Sequence, residues 1–257
     1  MRIFLLLLVL LAASAPGLAT ERLTVAAAAD LTFALHDVAE RFEQQTGNAV
    51  GLSFGSSGNF FSQIQNGAPF DLFFSADLDY PKKLESLGLT EPGSLYQYAR
   101  GRLVLWAPKD SRLDLSRGLQ ILLDPAVRKI AIANPEHAPY GRAAVAALQH
   151  EGIYDQVRAR LVLGESVSQA AQFVVSGGAD VGLLAQSLTL APGMKGKSVE
   201  VPASSYPPID QAAVILKSSR NKAAARQFLQ FLRKPEILEV MRRYGFEVPE
   251  GSGGAAP

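Results

Sequence analysis

Strand and helix signals alternate along the chain, and this alternation constrains the fold more than any other feature of the sequence. Residues 23–26 form a short apolar run typical of a strand, and apolar residues then recur at helical spacing from Leu31 to Gly47. Further strands are predicted at residues 50–54, 70–75, 103–106, 129–133, 181–185 and 212–216, and further helices near residues 60–64, 77–88, 142–149, 167–175 and 222–233. Such alternation predicts an α/β fold with mostly parallel sheets.

The first residues predict export. Arg2 precedes an apolar run at residues 3–13, and small residues at 17–19 offer a cleavage site, which is the order of a secretory signal peptide. The run is about half of the ~20 residues that a membrane span needs. We therefore assign residues 1–19 to a signal peptide rather than to a buried N-terminal helix, and expect a periplasmic protein.

Composition excludes several classes of function. The chain has no cysteine, so disulfides, thiolate metal sites, cysteine catalysis and a lipid-modified cysteine are all excluded. It has 25 basic and 24 acidic residues, and loss of Arg2 with the signal makes the two equal. A neutral chain has no basic surface for nucleic acid or for a membrane. Residues 251–257 are predicted to be a flexible tail.

Four predicted strand-to-helix junctions share small residues, hydroxyl groups and a helix start, at residues 28–32, 55–59, 139–141 and 166–168. The first turn of a helix presents unpaired N–H groups and a partial positive charge. Ligands of open α/β sheets bind at the carboxyl ends of the strands, where such junctions gather. Together they suit a small, fully ionised oxyanion, although each one alone is an ordinary turn or helix cap.

Enzyme signals are weak, so no catalytic residue, metal ion or cofactor is predicted. His36 and His150 lie within helical patterns, and Asp71, Asp77 and Asp79 lack the spacing of a calcium loop. The nucleophile elbow, the dinucleotide fingerprint and the phosphate-loop lysine motif are all missing from the sequence. A secreted α/β hydrolase remains only a remote alternative.

Five motifs resemble the periplasmic molybdate-binding proteins of ABC importers. They are AAADL at 27–31, FGSSG at 54–58, QIQNGAPFDLFFSAD at 63–77, NPEHAPYG at 134–141 and RYGF at 243–246. The resemblance covers essentially all of the mature sequence. It implies a protein that captures molybdate or tungstate and delivers it to an ABC permease in the inner membrane; a sulfate or phosphate carrier is the alternative.

The resemblance also implies a two-lobed periplasmic-binding-protein fold of type II. Each lobe is expected to be a mixed, mostly parallel sheet flanked by helices, with the ligand in the cleft between lobes. Segments 100–102 and 205–208 are candidate crossings between the two sheets. Lobe I would comprise residues 20–102 plus 212–250, and lobe II residues 103–211. We expect a monomer.

In this family the anion is held at positions that match Asp30, Ser57, Tyr140 and Val167. Ser57 and Tyr140 would contribute hydroxyls, and Asp30 and Val167 their backbone N–H groups. A tyrosine found in some members is replaced here by Ala185. Asp30 departs from the pattern, because a carboxylate repels a dianion. We expect its side chain to turn away and cap its own helix; alternatively, the cargo differs or Asp30 needs a proton.

Overall fold

The computed structural model describes residues 22–249, so the predicted signal peptide and the predicted tail lie outside the described residues. The strands are β1 (Arg22–Ala28), β2 (Ala49–Gly55), β3 (Leu72–Ser75), β4 (Tyr96–Gly101), β5 (Leu103–Pro108), β6 (Ile130–Ala133), β7 (Leu161–Gly164), β8 (Val181–Ala185), β9 (Gly196–Glu200) and β10 (Ile209–Ile215). The helices are α1 (Thr32–Thr46), α2 (Ser57–Gln65), α3 (Asp79–Ser86), α4 (Pro139–His150), α5 (Tyr154–Val157), α6 (Val167–Val175), α7 (Gln186–Thr189), α8 (Lys222–Phe231) and α9 (Pro235–Arg243). Short 3-10 segments occur at Ala29–Leu31, Leu115–Leu123, Arg158–Arg160 and Ala203–Ser205.

The strands form two five-stranded sheets with the same plan. The first has the order β2-β1-β3-β10-β4 and the second β7-β6-β8-β5-β9. In each sheet the first two pairings are parallel and the last two antiparallel. The sheets are therefore mixed, as predicted, but antiparallel pairing is as frequent as parallel. The chain reaches β5 directly from the first sheet and β10 directly from the second sheet. Parallel pairing usually requires a crossover helix between the strands, and neither connection contains one.

The chain passes between the sheets twice. Only Arg102 separates β4 of the first sheet from β5 of the second, and residues 201–208 lead back from β9 to β10. The guanidinium of Arg102 binds Glu247 at 2.7 Å and Glu200 at 3.5 Å, which ties the two connections together. The lobe boundaries given above stay a prediction; β10 begins at Ile209, three residues before the predicted strand.

Every strand missed by the sequence reading lies at the edge of a sheet. Strand β4 borders the first sheet, and β7 and β9 border the second. An edge strand is hydrogen-bonded to the sheet on one side only. Strand β9 alternates between exposed and half-buried residues, and β7 has only four residues. Helix α9 and the short helices α5 and α7 were also missed. Within residues 22–249, no helix combines the length and apolar character needed to cross a bilayer.

The core of the first lobe joins segments that are far apart in the sequence. Phe42 of α1 packs edge-on against Phe228 of α8, with ring centroids 5.0 Å apart, and Phe74 of β3 lies 6.1 Å from the same ring. All three side chains are fully buried. Helix α8 follows the return crossing, so this cluster attaches the C-terminal segment to the N-terminal one.

Replacing Phe228 with alanine should lower the free energy of unfolding by about 3–5 kcal/mol, because the cavity left behind would lie between α1, β3 and α8. Chemical denaturation monitored by circular dichroism measures the change. Phe33→Ala is the control, since Phe33 is 37% exposed. An equal loss in both variants would contradict the role given to this cluster.

Candidate functional site

Helix starts from both lobes meet at one small cavity between the sheets. Its wall is formed by Ala28, Ala29, Asp30, Gly55, Ser56, Ser57, Ala76, Ala138, Pro139, Tyr140 and Val167. This wall includes all four residues that the sequence put forward. It contains no lysine or arginine. The chemistry of these lining residues suits a small ligand that accepts hydrogen bonds.

Helix α2 contributes Ser57, and the preceding residue, Ser56, caps the helix. The Ser56 hydroxyl accepts a hydrogen bond from the backbone N–H of Asn59 at 3.2 Å. Ser57 Oγ accepts from the N–H of Ala76 at 3.0 Å, and the side chain is buried. Because that contact uses only a lone pair, the hydroxyl hydrogen of Ser57 is available to donate.

Helices α4 and α6 contribute from the second lobe. Helix α6 is capped by Ser166, whose hydroxyl accepts from Gln169 N–H at 3.3 Å, and Val167 is its first residue. The N–H of a first helical residue has no partner within the helix. Helix α4 begins with Pro139, which lacks an N–H, and Tyr140 follows. Burial raises the pKa of Tyr140 well above its ordinary value, so its hydroxyl stays protonated.

The expectation that Asp30 caps its own helix is wrong. No side-chain capping hydrogen bond forms at the start of the 3-10 segment Ala29–Leu31 or of α1. The 3-10 segment turns the carboxylate inward instead, where Oδ2 accepts from Nε2 of Gln211 at 2.6 Å. Asp30 is only 1% exposed, and Oδ1 is buried with no hydrogen-bond partner among the described residues.

Burial also changes the acidity of Asp30. Loss of hydration raises the pKa of its carboxyl to about 6. The side chains of Gln211 and Tyr140 and the nearby N–H groups of Asp30 and Leu31 offset part of this rise. Desolvation is the dominant cause, because no salt bridge reaches Asp30 within residues 22–249.

Gln211 is the residue of this site that the sequence reading missed. It is fully buried in β10 and lies behind the cavity wall. Its Nε2 donates to Asp30 and lies 3.4 Å from the Tyr140 hydroxyl, and its Oε1 accepts from Tyr98 at 2.7 Å. The available signal was its position directly before the apolar strand predicted at residues 212–216. Gly101 is also needed here, since an added Cβ would collide with the Tyr140 hydroxyl.

Contacts across the cleft hold the lobes together around the cavity. The backbone N–H of Gly58 donates to the carbonyl of His137 at 2.9 Å, and His137 Nδ1 lies 2.9 Å from Ser56 Oγ. Arg142 of α4 pairs with Asp77 beyond β3 at 2.5 Å. The structure is therefore that of a closed cleft.

Other surface grooves are larger but chemically less suited to an anion. One of these, about 480 Å³, lies along α1 and includes the carboxylates of Asp37, Glu40 and Glu43. Within residues 22–249, no group of three or more histidine, aspartate or glutamate side chains could hold a metal ion. The cavity between the lobes remains the candidate site.

Two mixed sheets joined by two crossings, with helix starts converging between them, define a two-lobed solute-binding protein. The chain belongs to the bacterial extracellular solute-binding protein family, whose model matches residues 23–247, and within it to the molybdate-binding proteins. Its family places it outside the cytoplasm. Residues 1–19, where the signal peptide is predicted, are not among those that the structure describes.

Two relatives carry this assignment. The molybdate-binding protein ModA of Rhodobacter capsulatus is 41% identical over 89% of each chain. ModA of Azotobacter vinelandii is 43% identical over 86% of this chain and 88% of its own. The solved structure of the periplasmic molybdate-binding protein of A. vinelandii matches with a TM-score of 0.84, covering 89% of this chain and all of that one, at 40% identity.

Asp30→Asn should stabilise the protein at neutral pH but not in acid. The folded-state pKa of about 6 exceeds the ordinary value of 3.8, so the stability from this group is complete below pH 3.8 and is lost as pH rises through about 6. At pH 7.5 the variant should gain about 3 kcal/mol, at about 1.4 kcal/mol per pKa unit. Thermal unfolding from pH 4.5 to 8 measures this gain. Asp155→Asn, at an exposed carboxylate, is the control; a gain that does not vary with pH would contradict the prediction.

Proposed function

We propose that the protein captures molybdate or tungstate in the cavity between its lobes and delivers it to an ABC permease in the inner membrane. The observation that carries the proposal is the convergence of uncharged donors from helix starts on one small cavity without a cation. The kinship with molybdate-binding proteins supports an oxyanion of this kind as the cargo. These relatives are named as binding proteins, and we propose no catalysis.

The ligand contacts follow from the donors in the wall. The hydroxyls of Ser57 and Tyr140 and the backbone N–H groups of Asp30 and Val167 would donate to the oxygens of the anion. Uncharged donors can hold a dianion at fixed positions, because helix starts supply partial positive charge. The geometry favours a small ion whose oxygens all accept hydrogen bonds.

Release would follow from opening of the cleft. In our proposal lobe I (residues 20–102 plus 212–250) supplies Asp30 and Ser57, and lobe II (residues 103–211) supplies Tyr140 and Val167. Separation of the lobes would halve the set of donors, as in hinge closure generally. The protein would work in the periplasm as a monomer, after cleavage of the signal peptide at residues 1–19.

Calorimetry with molybdate, tungstate, sulfate and phosphate tests the proposal. Molybdate and tungstate should bind more tightly than the other two, and tight binding should also raise the melting temperature. Binding of sulfate or phosphate alone would point to the alternative oxyanion carriers. Binding of none of the four would refute the proposed function.

Ser57→Ala should weaken molybdate binding by about 1–3 kcal/mol, the cost of an unmet hydrogen bond to a charged group. Calorimetry at constant pH measures the loss. Ser62→Ala, on the exposed face of the same helix, is the matched control and should bind as the unmodified protein does. Unchanged affinity in Ser57→Ala would mean that this hydroxyl serves only Ala76.

Gly58→Ala should impair closure. An added Cβ would lie 2.6 Å from the hydroxyl of Tyr80, the end of a side chain that can shift, and 2.7 Å from both Cβ and the carbonyl oxygen of His137 on the opposite lobe. We expect at least a tenfold loss of affinity, which is about 1.4 kcal/mol, without loss of the fold. Gly51→Ala in β2 is the control, because the added Cβ would meet mainly the flexible side chain of Arg22. Normal affinity in Gly58→Ala would show that these lobes do not need to approach so closely.

A further inference from the structure

The Asp30 carboxyl group lies in the cavity wall, and one of its two oxygens forms no hydrogen bond with the described residues. Oδ2 accepts from Gln211 at 2.6 Å, whereas Oδ1 is buried and has no partner among the described residues. The residue is 1% exposed and lines the cavity. A buried acceptor without a donor costs free energy, so this atom needs an explanation.

The elements packed around Asp30 offer it no positive charge. The 3-10 segment that carries it contacts α1, α6, α7 and β2, and the last three of these contain no charged or titratable side chain. From α7, the Ser187 hydroxyl donates to the backbone carbonyl of Asp30 rather than to its carboxylate. From α1, the ionisable residue nearest in sequence is His36, whose ring lies against Phe54.

The groups that face the carboxyl come from strands and helices farther along the chain. They are Gln211 on β10, Tyr98 on β4 and Tyr140 on α4. Both tyrosines have a pKa raised by burial, so both stay neutral. Asp77, the next carboxylate in this region, pairs with Arg142 at 2.5 Å. That arginine is therefore not a partner of Asp30.

An ionised Asp30 and a dianion cannot share this cavity favourably. They would repel one another at close range in surroundings of low polarity. We propose that Asp30 takes up one proton as the oxyanion binds, and that the resulting O–H at Oδ1 donates a hydrogen bond to an oxygen of the ligand. The inference rests on the proposed function and deepens it.

The step balances with a proton from solvent, which forms the O–H bond before the cleft closes; no other bond changes. Burial already raises the pKa of the carboxyl in the closed structure, and a neighbouring dianion raises it further. Gln211 continues to donate to Oδ2, so it orients the acid with Oδ1 towards the cavity. Protonation thus turns the one repulsive group in the wall into a donor.

A protonated Asp30 also predicts selectivity for fully ionised oxyanions over hydrogenphosphate. A protonated Asp30 needs an acceptor, which every oxygen of a fully ionised molybdate, tungstate or sulfate provides. Hydrogenphosphate carries a hydrogen of its own and would instead suit an ionised Asp30. The proton on the protein therefore favours ligands that carry none.

Proton counting by calorimetry tests the inference directly. Molybdate binding at pH 7.5 is measured in buffers that differ in ionisation enthalpy, and we expect uptake of close to one proton. Between pH 7 and 8.5 the affinity should fall about tenfold per pH unit, as linkage requires for one proton. Molybdate itself stays fully ionised over this range.

Asp30→Asn tests whether the proton is taken up by this carboxyl or by another ionisable side chain near the cleft, such as His137. The amide oxygen can accept from Gln211 while its NH₂ group donates to the ligand without a proton from solvent. The variant should therefore bind with little proton uptake and with affinity nearly constant from pH 7 to 8.5. Asp155→Asn removes the same charge at an exposed site and should behave as the unmodified protein.

The outcomes distinguish this inference from the proposed function. Molybdate binding with no proton uptake and no pH dependence would overturn the role of Asp30 and leave the function intact. Tighter binding of hydrogenphosphate than of molybdate, without proton uptake, would mean that Asp30 acts as an acceptor. Absence of binding by any of the four anions would overturn both. If Asp30→Asn does not fold, the proton count of the unmodified protein still decides.

Discussion

The N–H groups in the first turn of a helix have no partner within that helix, and the candidate site depends on this property. Helices α2, α4 and α6 and the 3-10 segment before α1 all begin at the same cavity, although they belong to two different sheets. Four helix N-termini with unpaired N–H groups in one place are unfavourable unless an acceptor lies between them. The fold therefore creates a site for negative charge from its backbone, before any side chain is considered.

Side chains adjust that backbone site. Ser57 and Tyr140 add hydroxyls, and the small residues around them allow the helix ends to approach one another. Asp30 is the exception, because it brings negative charge to a place prepared for an anion. Burial away from water raises the pKa of its carboxyl, and the hydrogen bond from Gln211 at 2.6 Å offsets only part of that rise. A proton then reconciles this residue with the charge of the ligand.

Features that depend on nearby residues could be predicted from the sequence, whereas features that depend on distant residues could not. Helix α1 ends at Thr46 with Gly47 as its cap, and α6 spans the predicted residues, because apolar spacing and glycine act within a few residues. Strands β4, β7 and β9 were missed; β9 alternates between exposed and half-buried residues, and β7 is only four residues long. Asp30 was expected to cap a helix, which is the local preference of aspartate; Gln211 binds it instead from 181 residues away.

By itself, the sequence determined the alternation of strands and helices, the junctions that carry Asp30, Ser57, Tyr140 and Val167, and the family. These depend on the spacing of nearby residues and on motifs that can be read in order. Only the tertiary structure decided that the four junctions surround one cavity, that half of the strand pairings are antiparallel, and that Asp30 points inward to Gln211. The physical reason is that such contacts join residues far apart in the chain, and their geometry exists only after both sheets have packed.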